Sequence, residues 1–419
     1  MSSPDATAMA VTDGTVVWVG ADEPGRALHP DAEIVELDGA FVAPAFVDTH
    51  VHTTALGLKL TGLDLSRARS GWECLHLLHE YAAANPTGVI WGHGWDDTGW
   101  PDAVPSVRDI DQAAPGRLVY LSRVDSHSAV CSSALLAATP GLGNADGFTH
   151  SAVLRTDAHH QVRLAALSAL DVSQRDRARR AALDEAARRG IVAVHECAGP
   201  YISGKDDLRE LLALDHGIDV RAYWGARAES AEEAQALLAD TGAHGLAGDL
   251  FVDGSIGSRT AWLHDPYTDH PESGCGNGYL DADEVAAHVR ACTEARVQAG
   301  FHAIGDAALS TVVAGFERVV GELGGPAVAA LGHRIEHAEM ITPEQAAKLG
   351  TWGVIASVQP CFDEAWGGSE GLYARRLGTE RALAMNPFST MAAAGVSLSL
   401  SSDAPVTELR PWAAVRAAA

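Results

Sequence analysis

From Ile191 onward the chain alternates short apolar runs with helical patterns, and no other feature constrains its fold as much. Runs at Ile191–Val194, Val220–Trp224, Leu250–Val252, around Phe301, around Ile335, at Trp352–Ser357 and at Val396–Leu400 read as buried strands. Between them lie helical stretches at Leu208–Leu214, Ser230–Ala239, Ala282–Ala299 (closed by Gly300), Ala307–Leu323 and Phe388–Ala394. A further helix opens at Thr342, Pro343 and Gln345. Ser230 with Glu233, and Thr342 with Gln345, have capping-box spacing, and Pro343 suits a first helical position. With the apolar run Phe41–Val47 there are eight strands, seven of them in a regular βα series. That is the pattern of a parallel (β/α)8 barrel of the TIM type.

Chemistry-bearing residues gather where these strands end. His50 and His52 follow the first run, and residues i and i+2 of a strand share a face. His302 follows Phe301, His337 follows Ile335, and Asp403 follows Leu400; Asp249 and Asp253 flank the Leu250 run. In such barrels the C-terminal strand ends carry the active site. Random scatter of histidines would not favour that position. Imidazole mixed with carboxylate suits a divalent metal, with zinc the first choice and iron or manganese as alternatives.

Composition closes off other readings. A formal net charge of −25 argues against nucleic acid and anionic membrane surfaces as partners. The six cysteines are scattered without a Cys-x-x-Cys pair, as in a reduced, cytoplasmic protein. Met1–Ala10 has neither the basic nor the apolar region of a signal peptide. No apolar run approaches the roughly 20 residues of a membrane helix. Ala10–Leu37 reads as a small sheet built from Ala10–Val11, Val16–Val19 and Ile34–Val35. The expected organisation is a β accessory unit over 1–45, the barrel over 46–410 and a short tail over 411–419. An insertion over about 70–172, between the first and second barrel strands, is expected as a lid or substrate wall.

Taken together, Phe46–His52, Asp125–Ser128, Asp253–Ala261, His302–Asp306, Arg334–His337 and Ser402–Pro405 resemble, in order, the amidohydrolase superfamily. The resemblance is to the amidohydrolase-3 (YtcJ-like) branch that includes N-substituted formamide deformylases. It implies a metal held by His50, His52, His302, His337 and Asp403. It also implies hydrolysis of a C–N bond by water that the metal activates, with Asp403 as general base and then acid. His127 would polarise the substrate carbonyl or contact the substrate.

Three departures stand out. Asp249 occupies the place of the family's carboxylated lysine, and Lys59, Lys205 and Lys348, the only lysines, lie elsewhere. One metal is therefore expected, with a pair bridged by Asp249 or Glu196 as the alternative. Ala45 replaces a glycine. The chain ends soon after Pro411-Trp412, so the accessory sheet is either reduced or short of its partners.

Trp95, Asp96, His127, Asp253 and Arg259 are the expected substrate contacts. For Trp95 the alternative is a small core within the insertion, and for Arg259 a salt bridge. His195 is expected beside the site or as structure, Glu336 as barrel support, and His159-His160 at the surface. Arg175–Arg189 reads as a solvated helix face. The expected activity is hydrolysis of an amide, N-formyl or cyclic amide bond in a small molecule. A deaminase on the same ligand set and a non-catalytic barrel remain as alternatives, and a homodimer is left open.

Overall fold

A ring of eight parallel strands dominates the computed structural model, which describes residues 5–97, 99–124, 128–148 and 153–419. Two compact units divide at Pro44/Ala45. In the first, β1 (Ala8–Thr12) and β2 (Thr15–Gly20) pair antiparallel across Asp13-Gly14, both with positive φ, the twist that a tight hairpin requires. A helix over Asp22–Leu28 follows, and Ile34–Val35, expected as a strand, is not one.

The second unit opens with β3 (Phe46–Val51). An inserted layer then supplies β4 (Leu63–Asp64), β5 (Ile90–Trp95), β6 (Val119–Arg123), β7 (Ser128–Cys131) and β8 (Leu154–Arg155). The ring resumes with β9 (Ile191–Ala198), β10 (Asp219–Trp224), β11 (Gly245–Leu246), β12 (Gln298–Ala303), β13 (Arg334–His337), β14 (Ile355–Val358) and β15 (Ser397–Leu400). Its order is β15-β14-β13-β12-β11-β10-β9-β3.

The residues just past β15 close the ring onto β3. Asp403 N–H donates to His50 O and His52 N–H to Ala404 O, each at 2.9 Å. The buried Asp48 carboxylate joins the same seam by accepting from His50 N–H at 3.3 Å and Ser402 N–H at 3.1 Å. Burial pushes that carboxyl up to about 6.

Four expectations change. The fourth ring strand lies at Gly245–Leu246, not Leu250–Val252, where Phe251 makes only an isolated bridge to His302. The helix expected over Ala282–Ala299 ends at Ala295, with Arg296 in the left-handed region as its cap, and Gly300 lies inside β12. The helix broke early because an arginine took the conformation usually left to glycine. The tail is a helix, Pro411–Ala417, whose Ala413 and Ala414 cluster with Cys361. The insertion forms a five-stranded sheet, β4-β5-β6-β7-β8, beginning at Leu63. Leu65, Leu78, Ile90, Trp95, Ile110 and Leu121 give it a core of its own.

The largest core lies between the ring and its helices, where Phe301, Phe316, Val312, Ile335 and Leu349 are all fully buried. Each large apolar side chain removed from water there contributes roughly 1.5–3 kcal/mol. Thr342, Pro343 and Gln345 open the helix Pro343–Thr351 with a complete capping box. Among the described residues no helix is long and apolar enough to cross a membrane.

Candidate metal centre

The end of β3 brings His50 and His52 to the mouth of the ring. Asp249 arrives from the loop after β11, and Asp403 from the segment that closes the ring. His50 Nε2 lies 3.4 Å from Asp249 Oδ1 and 3.5 Å from Asp403 Oδ1. His52 Nε2 lies 3.3 Å from Asp249 Oδ2 and 3.1 Å from Asp403 Oδ1. His337 packs its ring 5.2 Å from His50 and 4.4 Å from His302. Five of the six expected ligands come from four places on the ring, and β12 adds the sixth, His302.

These atoms approach one another without bonding. His50 Nε2, Asp249 Oδ1 and Asp403 Oδ1 are buried and have no hydrogen-bond partner. Buried polar atoms are otherwise nearly always paired. A set of nitrogens and oxygens facing a common point, unpaired with each other, is the donor arrangement of a cation site. Three groupings could hold an ion, His50–Asp249–His337, His50–His52–Asp403 and, on the other side of the His50 ring, His50–Cys197–Glu336, and all share His50. The residues therefore fit a divalent ion.

A second layer fixes the ring orientations. His50 Nδ1 donates to Glu336 Oε2 at 2.9 Å, leaving the lone pair on Nε2. Arg334 holds Glu336 in turn, at 2.5 Å from Nε to Oε1 and 2.8 Å from Nη2 to Oε2. Arg334 Nη2 also reaches Thr49 O at 2.7 Å, and its guanidinium lies 4.4 Å from the Tyr223 ring centre. His337 Nδ1 donates to Gln359 Oε1 at 2.7 Å. Asp253 accepts from Trp262, Ile304 and Gly305 N–H at 2.8–3.0 Å and lies 3.6 Å from His302 Nδ1. It therefore clamps the loop behind His302.

Electrostatics follow from this packing. Burial pushes the Asp403 carboxyl up, but His50, His52 and His337 outweigh it, so the group sits below its ordinary value. Asp249 is displaced downward in the same way by His50 and His52. Burial, and then the adjacent His302, hold the His337 imidazole down to about 3. Glu336, despite burial, is held at about 2 by Arg334 and His50.

Alternation along β13 predicted that Glu336 and His337 face opposite ways, and that Glu336 supports the barrel instead of binding metal. The structure has both residues serving the centre. His337 and Ala338 adopt positive φ of 72° and 51°, which turns the His337 side chain back to the mouth after the strand has aimed Glu336 at His50. Asp403, at φ 54°, is another non-glycine residue in that region. Sequence reasoning missed Arg334 and Gln359; the only available signal was that Arg334 shares a strand face with Glu336.

Other expected contacts lie apart from the centre. Trp95 is buried in the insertion's core and donates from Nε1 to Leu121 O at 2.9 Å. Asp96 pairs with Arg123 at 2.8 Å, and Arg259 with Asp269 at 2.8 Å. Each charge is already engaged by a protein partner. His127 lies outside the described residues. His195 lies inside the ring, its Nδ1 accepting from Arg334 Nη1 at 3.1 Å. Glu196 adjoins the site, with Oε2 accepting from Thr53 N–H at 2.7 Å. His159, expected at the surface, is buried against the Tyr120 hydroxyl, because its helix turns that face into the insertion's second core. The arginine-rich helix is not wholly solvated, since Arg179 is buried between Asp207 and Glu210.

The profile of the Amidohydrolase family matches residues 33–419. The putative amidohydrolase YtcJ of Bacillus subtilis is 27% identical, over 98% of this chain and 79% of its own. The N-substituted formamide deformylase of Arthrobacter pascens is 24% identical, over 98% of this chain and 80% of its own. Among solved structures, an uncharacterized metal-dependent hydrolase from Pyrococcus furiosus is similar, at a TM-score of 0.77 and 26% identity. That match covers 98% of this chain and 84% of the other.

Proposed function

The chain belongs to the amidohydrolase family, and on that premise we propose that it is a metal-dependent hydrolase of a C–N bond in a small amide. The observation that carries this reading is the convergence of buried, unpaired imidazole nitrogens and carboxylate oxygens at the mouth of the ring. His50, His52, His302, His337, Asp403 and Asp249 would hold the ion. A divalent ion there supplies Lewis acidity, which polarises the scissile carbonyl and makes water nucleophilic near neutral pH.

The chain's own residues do the rest. Glu336 and Gln359 keep the His50 and His337 Nδ1 protons in place, so each ring presents one lone pair to the centre. Asp403 Oδ1, buried and unpaired, takes the proton of the attacking water and passes it to the leaving nitrogen. One ion is the favoured occupancy. With Nδ1 given to Glu336, His50 has a single nitrogen for the centre, and the groupings with Asp249–His337 and with His52–Asp403 both need it. Nitrogen and carboxylate donors favour zinc.

Elemental analysis of protein purified without added metal or chelator tests the reading, together with amine release from N-formyl, N-acyl and cyclic amides. The expected result is about one zinc or iron per chain, lost in His302→Ala, with amine released by the wild type. Two ions per chain would make Asp249 or Glu196 a bridge. Ammonia from aminoheterocycles, with no amine from amides, would make the chain a deaminase. No metal in a folded chain, with none taken up on titration, would overturn the reading.

A further inference from the structure

A recess of about 250 Å³, counting its open mouth, adjoins the centre on the His52 side. His52 and Glu196 form one part of its lining, and Arg163, Leu167, Ile202 and Ser203 another. Its interior is tight, with room for about one water-sized group. Arg163 and Leu167 lie four residues apart on the helix Thr156–Ser168 and so share a face. Ile202 and Ser203 come from the turn after β9, which the Gly199 carbonyl pins by accepting from residues 202, 203 and 204 at 3.1–3.3 Å.

Two features of this lining are unexplained by the protein alone. Among the described residues, no ion pair or hydrogen bond engages the half-buried Arg163 guanidinium. The half-buried Arg175 and the buried Arg179 and Arg334 each hold a carboxylate. The Ser203 hydroxyl oxygen is buried and also has no partner. A guanidinium partly removed from water calls for an anion, and its planar fork matches a carboxylate. The lining gives a direction, since the Glu196 carboxyl on the metal side offers an anion no attraction and the Arg163 guanidinium does.

We propose that this recess is a carboxylate subsite. The substrate carries a carboxylate, one oxygen of which fills the tight interior and accepts from the Ser203 hydroxyl while the group pairs with Arg163, and a short aliphatic portion lies in the open mouth on Leu167 and Ile202. Its amide then faces His52. This specificity rests on reading the centre as hydrolytic, but it can be tested by binding alone.

Isovalerate and its neutral counterpart isovaleramide are titrated calorimetrically into the protein as purified, into Arg163→Met and into Ser203→Ala. Isovalerate should bind the wild type at least about 10-fold more tightly than isovaleramide. Arg163→Met should lose at least about 10-fold for the acid and little for the amide, and Ser203→Ala a few-fold. Thermal melts check that the variants fold, and Arg163→Lys, with a point charge in place of the fork, should give an intermediate affinity. Acid binding unchanged in Arg163→Met would place the anion on the metal and sink the subsite. Equal binding of acid and amide, or binding of neither, would sink it too. Amine release from neutral amides by a protein that fails this titration would leave the hydrolytic reading standing. Binding without hydrolysis would do the reverse.

Discussion

Two sets of buried histidines occupy this barrel, and they differ in how completely their nitrogens are bonded. Behind the ring, His288 Nδ1 accepts from Ala228 N–H at 3.1 Å, and its Nε2 donates to Leu246 O at 3.0 Å. His333 Nδ1 accepts from Ala299 N–H at 2.9 Å, and its Nε2 lies 3.0 Å from Thr293 Oγ1. At the mouth, His50 is just as buried, yet its Nε2 has no partner and faces the Asp249 and Asp403 oxygens. Burial therefore does not separate a structural imidazole from a functional one. Saturation does: the first set ties helix to strand, and the second leaves lone pairs for something the chain does not itself supply.

The largest effect expected from breaking this division is at Asp403. Asp403→Asn keeps the side chain's shape and removes its basicity. Steady-state kinetics on a substrate that releases amine should show kcat/KM falling by about 10²–10⁴. The melting temperature should change little, because Oδ1 bonds to nothing in the fold. Unchanged hydrolysis would mean that the unpaired oxygen is not the base, and the mouth would lose its mechanistic meaning.

Glu336 orients His50 at the mouth, and its replacement should act on affinity before rate. Glu336→Gln should weaken metal binding by about 10–100-fold in a chelator competition, and excess metal should restore most of the activity. Failure of excess metal to restore it would give Glu336 a role beyond orienting His50. A loss of folding in place of affinity would reflect the unpaired Arg334 guanidinium, which Arg334→Met combined with Glu336→Gln would relieve.

Much of the ring was legible because its strands are short apolar runs bounded by caps and turns. The helix opened by Thr342, Pro343 and Gln345 was read to the residue. The cluster at the mouth was legible for a related reason, since histidines and aspartates that follow apolar runs lie at one end of a parallel ring. What escaped was set by backbone conformation and by contacts distant in sequence. A positive φ at His337 is invisible to a rule of alternation, and so is the capping of a helix by Arg296. The strand at Gly245–Leu246 pairs over only two residues, too few for any periodicity to register. For Trp95, expected as a substrate contact or as part of the insertion's own core, the structure has the core, and Asp96 just beyond its strand pairs with Arg123. Arg163 carried no sequence signal, because only the folded chain shows which arginine lacks a carboxylate.

The smallest and sharpest test concerns acid. Burial holds the His288 and His333 imidazoles down to about 4, against an ordinary value of 6.5. The unfolded chain takes up these protons near pH 6.5, and the folded chain only near pH 4. Between those values the unfolded state binds more protons, so stability falls as the pH drops through that window and is flat above it. Each histidine contributes on the order of 3 kcal/mol across the whole window. Loss of a metal bound at the mouth would also weaken the protein in acid, so the wild type alone cannot separate the two regions. His288→Gln can, because its amide is able to accept from Ala228 and donate to Leu246 without titrating. Urea midpoints at pH 7.5 should show the variant about 1 kcal/mol less stable than the wild type. At pH 5 the gap should narrow or reverse, with metal content the same in both. An unchanged gap would mean that the saturated histidines carry none of the acid sensitivity, leaving the unsaturated set at the mouth to account for it.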